Sequence, residues 1–70
     1  MNKVAAIVAL IVEQVADDRY TMSERLRTAA FYASEEIEGG ITTAEWVAAC
    51  AECNINAGTA RNRLNEMRRS

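Results

Sequence analysis

Arginine and asparagine side chains are concentrated near the end of this 70-residue chain. Residues 54–69 contain four arginines and four asparagines, against a single acidic residue, Glu66. A guanidinium group donates paired hydrogen bonds to a guanine edge or to phosphate oxygens, and a side-chain amide matches an adenine edge. These residue types therefore predict contact with DNA, provided that one helix presents them together.

Helical periodicity places these side chains on one surface. Counted from Ala60 in steps of about 100°, Leu64 and Met67 fall on one side of a helix. The opposite side is polar and basic. Its members are Asn62, Asn65 and Arg69, with Arg61 and Arg68 at its edges.

A turn and another short helix are predicted just before this segment. Asn54 tolerates a left-handed backbone better than other residues with a side chain, and Asn56 is a good helix N-cap. Upstream, an alanine-rich helical pattern has Trp46, Cys50 and Cys53 along one stripe. Two short helices joined by a tight turn, with the second one basic, form the arrangement that enters a DNA major groove.

The segment resembles the helix-turn-helix of bacterial and phage repressors, including the lac repressor type, over about twenty residues. In that family the turn and second helix follow the approximate pattern G-V-S-x-x-T-V-S-R-x-L-N. The positions that align with this pattern are Cys50, Asn54, Ile55, Asn56, Thr59, Ala60, Leu64 and Asn65. Three residues depart from the family: Asn54 replaces glycine, Ala60 replaces a larger apolar residue, and Arg63 lies where an apolar residue is common.

The resemblance implies a small DNA-binding transcriptional regulator encoded by a phage or another mobile element. The hypothesis assigns base contacts to Arg61, Asn62 and Asn65. It assigns phosphate contacts to Asn56, Thr59, Arg63, Arg68 and Arg69. Double-stranded DNA is the expected partner, and no cofactor is expected.

Composition and caps predict an all-α domain built as a small four-helix bundle with a C-terminal helix-turn-helix. Half of the residues are apolar and the chain contains no proline. Thr21-Met22-Ser23-Glu24 and Thr42-Thr43-Ala44-Glu45 match capping boxes, and Gly39-Gly40 is a helix-ending signal. The predicted helices span about residues 3–16, 22–38, 43–53 and 57–69.

The first helix is apolar on all sides. Glu13 and Gln14 interrupt its apolar run well short of a membrane span, and a signal peptide fits poorly. One interpretation is a core helix covered on both sides; the other is a homodimer interface, where a smooth face of alanines permits close approach. A dimer would suit a repressor that binds paired half-sites. The core or dimer stripe consists of Val4, Ile7, Val8, Ile11 and Val15.

The second helix has one long apolar stripe, with Phe31 on its opposite side, which indicates another contact surface. Tyr20 and Tyr32 are expected to be exposed aromatics as well. The residues predicted to be buried along the stripe are Met22, Leu26, Ala29, Ala30, Ala33 and Ile37.

The net charge of −2 is unusual for a nucleic-acid-binding protein, but residues 41–70 alone carry +1. The acidic residues elsewhere form either an ordinary solvated surface or a contact for a basic protein partner. The second possibility defines the alternative function, a small inhibitor or adaptor of the phage type that acts through protein contacts. The acidic face would comprise Asp17, Asp18, Glu35, Glu36 and Glu38.

Cys50 and Cys53 form a C-x-x-C pair, a spacing known from redox and zinc sites. A redox cysteine needs a helix N-terminus, whereas these lie within a predicted helix on its buried stripe. Structural zinc needs four ligands, and the chain has no histidine and no second pair. We therefore expect reduced, core-packing thiols in a cytoplasmic protein that is not an enzyme.

Overall fold

The computed structural model describes residues 2–70, which form four α-helices. They are α1 (Lys3–Val15), α2 (Met22–Glu36), α3 (Thr43–Glu52) and α4 (Ala57–Arg69). The predicted all-α, four-helix fold is confirmed. No helix in this part of the chain has both the length and the apolar character needed to cross a membrane.

Short polar side chains start every helix. Asn2 accepts a hydrogen bond from the backbone N–H of Ala5 at 2.7 Å, and Asn56 does the same for α4. Both predicted capping boxes are present: Thr21 begins α2 and Thr42 begins α3. Each box satisfies two backbone donors that would otherwise be left free at the helix end.

Helix α2 ends two residues earlier than its glycine signal indicated. Ile37 already has an extended backbone, with φ −86° and ψ 123°. Gly39 and Gly40 then take the positive φ angles, 82° and 71°, that turn the chain toward α3. These glycines therefore form the connection rather than the helix end.

The helices pack as a ring around a single core. Helix α1 packs against α2 and α3, and α4 packs against the same two helices. Helices α1 and α4 are consequently diagonal neighbours. Trp46 is the largest fully buried side chain at the centre. Around it lie Ile7, Ile11, Leu26, Ala29, Ala30, Ala33, Ala49, Cys50, Ala60 and Leu64.

Helix α1 contributes to this core with one side only. Ile7 and Ile11 are fully buried, whereas Val4, Val8 and Val15 are half-buried and pack against the core. These five residues therefore form the side of α1 that packs into the core.

One predicted core residue of α2 was wrong. Met22 is 47% exposed, although it continues the stripe of Leu26 and Ala29. It is the first residue of the helix and faces an open groove beside Val12 and Val15 of α1. Ile37, at the other end of the stripe, is half-buried against the core.

Candidate nucleic-acid interface

The turn between α3 and α4 has a defined backbone geometry. Asn54 has φ 62°, the left-handed conformation predicted for it, and is the only residue other than glycine among residues 2–70 with a positive φ. The N–H of Asn54 donates to the carbonyl of Ala51 at 3.1 Å, and that of Ile55 donates to the carbonyl of Cys50 at 2.9 Å. This pair of bonds is the Schellman motif, which ends α3 abruptly.

Asn56 then starts α4 as predicted. Its side-chain oxygen Oδ1 accepts a hydrogen bond from the backbone N–H of Thr59 at 2.8 Å. This bond occupies the oxygen and leaves the amide NH₂ group as the part of Asn56 that can donate to a phosphate.

Trp46 fixes α4 against α3. Its indole Nε1–H donates to the backbone carbonyl of Ala60 at 2.8 Å inside the core. Because both side chains are fully buried, the bond satisfies the only polar atom of the indole where no water can reach it. Helix α4 is therefore held by a directional contact as well as by apolar packing.

The solvent-facing side of α4, which we call the outer face, covers an arc of roughly 120°. Asn65 lies near its centre, and no side chain of the arc is acidic. Gly58, in the first turn, leaves a gap where the helix backbone is accessible. The exposed residues of the outer face are Gly58, Arg61, Asn62, Asn65, Arg68 and Arg69.

The arginines of the outer face differ in their contacts. Within residues 2–70, neither Arg61 nor Arg69 forms an ion pair. Arg68 donates one hydrogen bond, at 3.0 Å, to the hydroxyl of Thr43 at the start of α3. All three guanidinium groups therefore keep donors free for an anionic ligand.

Arg63, which was expected to contact phosphate, does not lie on the outer face. Its side chain is only 20% exposed and is directed between α4 and α2. It donates to the hydroxyl of Ser23 at 2.7 Å and to the carboxylate of Glu66 at 3.0 Å. Glu66 also accepts from Arg27 at 2.9 Å, so Arg63 belongs to a network that joins the two helices.

The helical periodicity of α4 already indicated that Arg63 points away from the outer face. Arg63 precedes Asn65 by two positions, which puts the two side chains about 160° apart around the helix. Thr59 lies on the same flank as Arg63 and is half-buried. The interhelical partners Ser23 and Glu66 could not be identified from the sequence, because that pairing depends on how α2 and α4 pack.

Acidic side chains of α3 are directed away from the outer face. Glu45 and Glu52 line a surface depression together with Asn2, Lys3 and Ala5, at the junction with α1. Because α1 is diagonal to α4, these carboxylates lie on the side remote from the arginines. The charge of −2 is therefore distributed so that the outer face is locally positive.

The predicted acidic residues do not form one face. Asp17 and Asp18 precede the N-terminus of α2, whereas Glu35, Glu36 and Glu38 lie at its other end. Fifteen helical residues separate the two groups by about 22 Å. Asp17 is also paired with Arg19 at 2.8 Å, and the hydrogen bond from this arginine lowers the pKa of Asp17 to about 2.

Both cysteines are free thiols. Burial raises the pKa of Cys50 to about 12 and also raises the pKa of Cys53. Raised values disfavour the thiolate that acts as nucleophile or metal ligand. In the described part of the chain, no three acidic or cysteine side chains are grouped as a metal site would require.

Comparisons of this chain with protein-family models, with curated proteins and with solved structures find no match. Its charges, exposed side chains and helix geometry are therefore the observations that bear on function.

Proposed function

We propose that this protein is a small DNA-binding transcriptional regulator that inserts α4 into the major groove. The observation that carries the proposal is the outer face itself, an exposed arc with three available arginines, two asparagines and no acidic side chain. A solvated helix face of a protein with net negative charge would ordinarily mix both signs.

The dimensions suit this role. Thirteen residues make α4 about 20 Å long, and a helix with its side chains is about 10–12 Å across. The major groove of B-DNA is about 12 Å wide. At the start of α4, Asn56 and Gly58 are exposed, so this end of the helix is accessible to DNA.

Each outer-face residue receives a role from its chemistry. Arg61, Asn62 and Asn65 would contact base edges, because Asn65 lies at the centre of the arc and the other two flank it one turn closer to the N-terminus of the helix. Arg68 and Arg69 would bind phosphates from the last turn, and the amide of Asn56 would do so from the first. Thr59 remains a phosphate ligand at the margin, whereas Arg63 has no role in the proposal because its guanidinium is engaged within the protein.

The proposal implies a strong dependence on salt. If three arginines each neutralise one phosphate, the logarithm of the association constant should fall with a slope of about −2.7 against the logarithm of the salt concentration. A change from about 50 to 200 mM salt would then weaken binding roughly 40-fold.

Selection from random-sequence double-stranded DNA at two salt concentrations tests the proposal. Enrichment of a motif, together with weaker retention at the higher salt concentration, is the expected result. Failure to retain any duplex at low salt would overturn it.

A second candidate function is binding to a protein as an inhibitor or adaptor, and it is favoured by the exposed aromatics of α2. Phe31 is 51% exposed and Tyr32 is 37% exposed, with ring centroids 6.0 Å apart. Phe31, Tyr32, Arg27 and Met67 line a shallow depression of about 250 Å³. Such aromatic clusters are common anchors of protein interfaces.

Affinity capture from cell extract separates the two functions. A protein captured by the wild type but not by a Phe31→Ala/Tyr32→Ala variant, with capture unchanged when Arg61 and Arg69 are replaced by alanine, would support the protein-binding function. If Glu35→Gln, Glu36→Gln and Glu38→Gln left that capture unchanged, the acidic residues would have no part in it.

A further inference from the structure

The outward side of α1 is unusual for a surface helix. Its exposed apolar residues are Ala5, Ala9 and Val12, and Ala16, directly after the helix, continues the same stripe. Val12 is 59% exposed, and Glu13 is the charged residue of α1 at the edge of this stripe. Helices that face water normally present polar residues there, and helices that are apolar all round are normally covered.

The stripe continues into an apolar groove. Val12, Val15, Met22, Cys53 and Ile55 line this groove, which has a volume of about 610 Å³, and Glu52 and Asn54 lie at its edge. Met22 is nearly half exposed at one wall. The stripe faces away from the core, and the groove extends from it to the turn that precedes α4.

We propose that a second copy of this chain covers this surface, with the two α1 helices antiparallel and a two-fold axis near Ala9. Small side chains at positions 5 and 9 allow close approach of the helices, and Val12 of each copy would fill the space beside Ala5 and Ala6 of the other. A two-fold contact uses the same patch twice, as this one requires.

Charge selects the antiparallel arrangement. It places Glu13 of each copy beside the N-terminus of the partner's α1, where the helix dipole is positive and the first turn contains no acidic residue. A parallel arrangement would instead bring the two Glu13 carboxylates together. The flanking Glu13 and Glu52 also make this surface a poor match for an anionic membrane.

The available area predicts a weak dimer. Helix α1 is about 20 Å long, so its stripe with the adjoining groove covers less than the roughly 800 Å² per partner of a standard interface. We therefore expect dissociation at concentrations on the order of 100 µM.

With the DNA-binding function proposed above, the position of the two-fold axis determines how a dimer can bind DNA. Because α4 is diagonal to α1, a dimer formed through α1 directs its two outer faces away from each other. Such a dimer would join two separate DNA segments rather than bind adjacent half-sites of one duplex. Dimerisation itself requires no DNA, so either proposal can fail without the other.

Sedimentation equilibrium of the full chain from about 10 µM to 1 mM tests the dimer, with Ala9→Arg and Ala48→Arg as matched variants. Both alanines are exposed near the middle of a helix, one on α1 and one on α3. We expect wild type and Ala48→Arg to dimerise with rising concentration and Ala9→Arg to remain monomeric. A monomeric wild type at 1 mM, or equal dimerisation of the two variants, would overturn the proposal.

Disulfide crosslinking tests the orientation in a Cys53→Ser background. Cysteine at position 9 lies on the proposed axis, whereas two cysteines at position 5 would be about 12 Å apart in the antiparallel dimer, beyond the reach of a disulfide. We expect Ala9→Cys to crosslink and Ala5→Cys not to. Crosslinking through position 5 alone, or by neither variant, would contradict the arrangement.

Discussion

Arg61 and Arg63 lie two positions apart on α4, yet their surroundings differ completely. The guanidinium of Arg61 is exposed and has no ion pair within residues 2–70. That of Arg63 bonds to Ser23 and Glu66, and its Nε is buried without a partner. The same residue type thus belongs to the candidate interface at one position and to the packing of the bundle at the other.

Alanine substitutions at these two positions should separate binding from stability. Arg61→Ala is expected to weaken binding to the preferred DNA by about 1–3 kcal/mol. Its unfolding free energy should change by less than about 0.5 kcal/mol, because the side chain makes no buried contact. Arg63→Ala should lose about 1–2 kcal/mol of stability and leave the salt dependence of binding unchanged. Denaturant unfolding and anisotropy titrations measure the two quantities.

An equal loss of affinity on every DNA sequence would argue against a base contact by Arg61 and would place it among the phosphate ligands. A change in the salt slope for Arg63→Ala, in a protein that remains folded, would show that its guanidinium reaches the DNA after all.

Asn54 offers a test of the turn. Its left-handed backbone suits asparagine and glycine, but alanine adopts it only with strain. Asn54→Ala should therefore lower the unfolding free energy by about 1 kcal/mol, whereas Asn54→Gly should change it by less than about 0.5 kcal/mol. Thermal and denaturant unfolding measure both; similar losses for the two variants would mean that the asparagine side chain itself is needed.

At the scale of the helices, local chemistry explains most of what the sequence predicted. Caps at Thr21, Thr42 and Asn56 act over three residues, so they could be recognised without knowing the fold. The prediction that Met22 is buried was wrong because its exposure depends on the groove that α1 and the end of α3 form beside the start of α2. The pairing of Arg63 with Ser23 joins residues 40 positions apart and likewise needed the packing.

The capping boxes also make stability depend on pH. The backbone N–H of Thr42 donates to the Glu45 carboxylate and lowers the pKa of Glu45 below its ordinary value of 4.5; Thr21 does the same for Glu24. Because the pKa of each glutamate is lower in the folded than in the unfolded state, the stabilisation that the ionised capping boxes provide is complete above about pH 4.5. It is lost as the pH falls through the lowered value.

The double variant Glu24→Gln/Glu45→Gln should therefore lose less stability at acidic pH than the wild type. Glutamine keeps the acceptor of the box but does not titrate in this range. Melting temperatures measured between pH 3 and pH 7 should fall less steeply below pH 4.5 in the double variant than in the wild type. Parallel curves would show that the boxes do not contribute to acid unfolding.

At the scale of the whole molecule, charge and hydrophobicity are segregated to opposite sides. The outer face of α4 is positive, and the outward side of α1 is apolar with Glu13 at its edge. The excess of arginines near the chain end was visible in the sequence. The diagonal placement of α1 and α4 was not, because it depends on both helices packing against α2 and α3.

The measurement that tests the central claim most directly is an anisotropy titration of double-stranded DNA with wild type, Gly58→Glu and Gly58→Gln. A Cβ at position 58 would lie 3.4 Å from Oδ1 of Asn56, an ordinary contact. Both substitutions should stabilise α4 by about 0.5–1 kcal/mol, since glycine is a poor helix former. Only glutamate adds a negative charge to the outer face.

We predict that wild type and Gly58→Gln bind DNA at low salt and that binding by the wild type weakens roughly 40-fold from about 50 to 200 mM salt. Gly58→Glu should lose binding while its melting temperature stays the same or rises. No binding by the wild type at low salt, or equal binding by all three proteins, would contradict the assignment of the outer face of α4 as a DNA-binding surface.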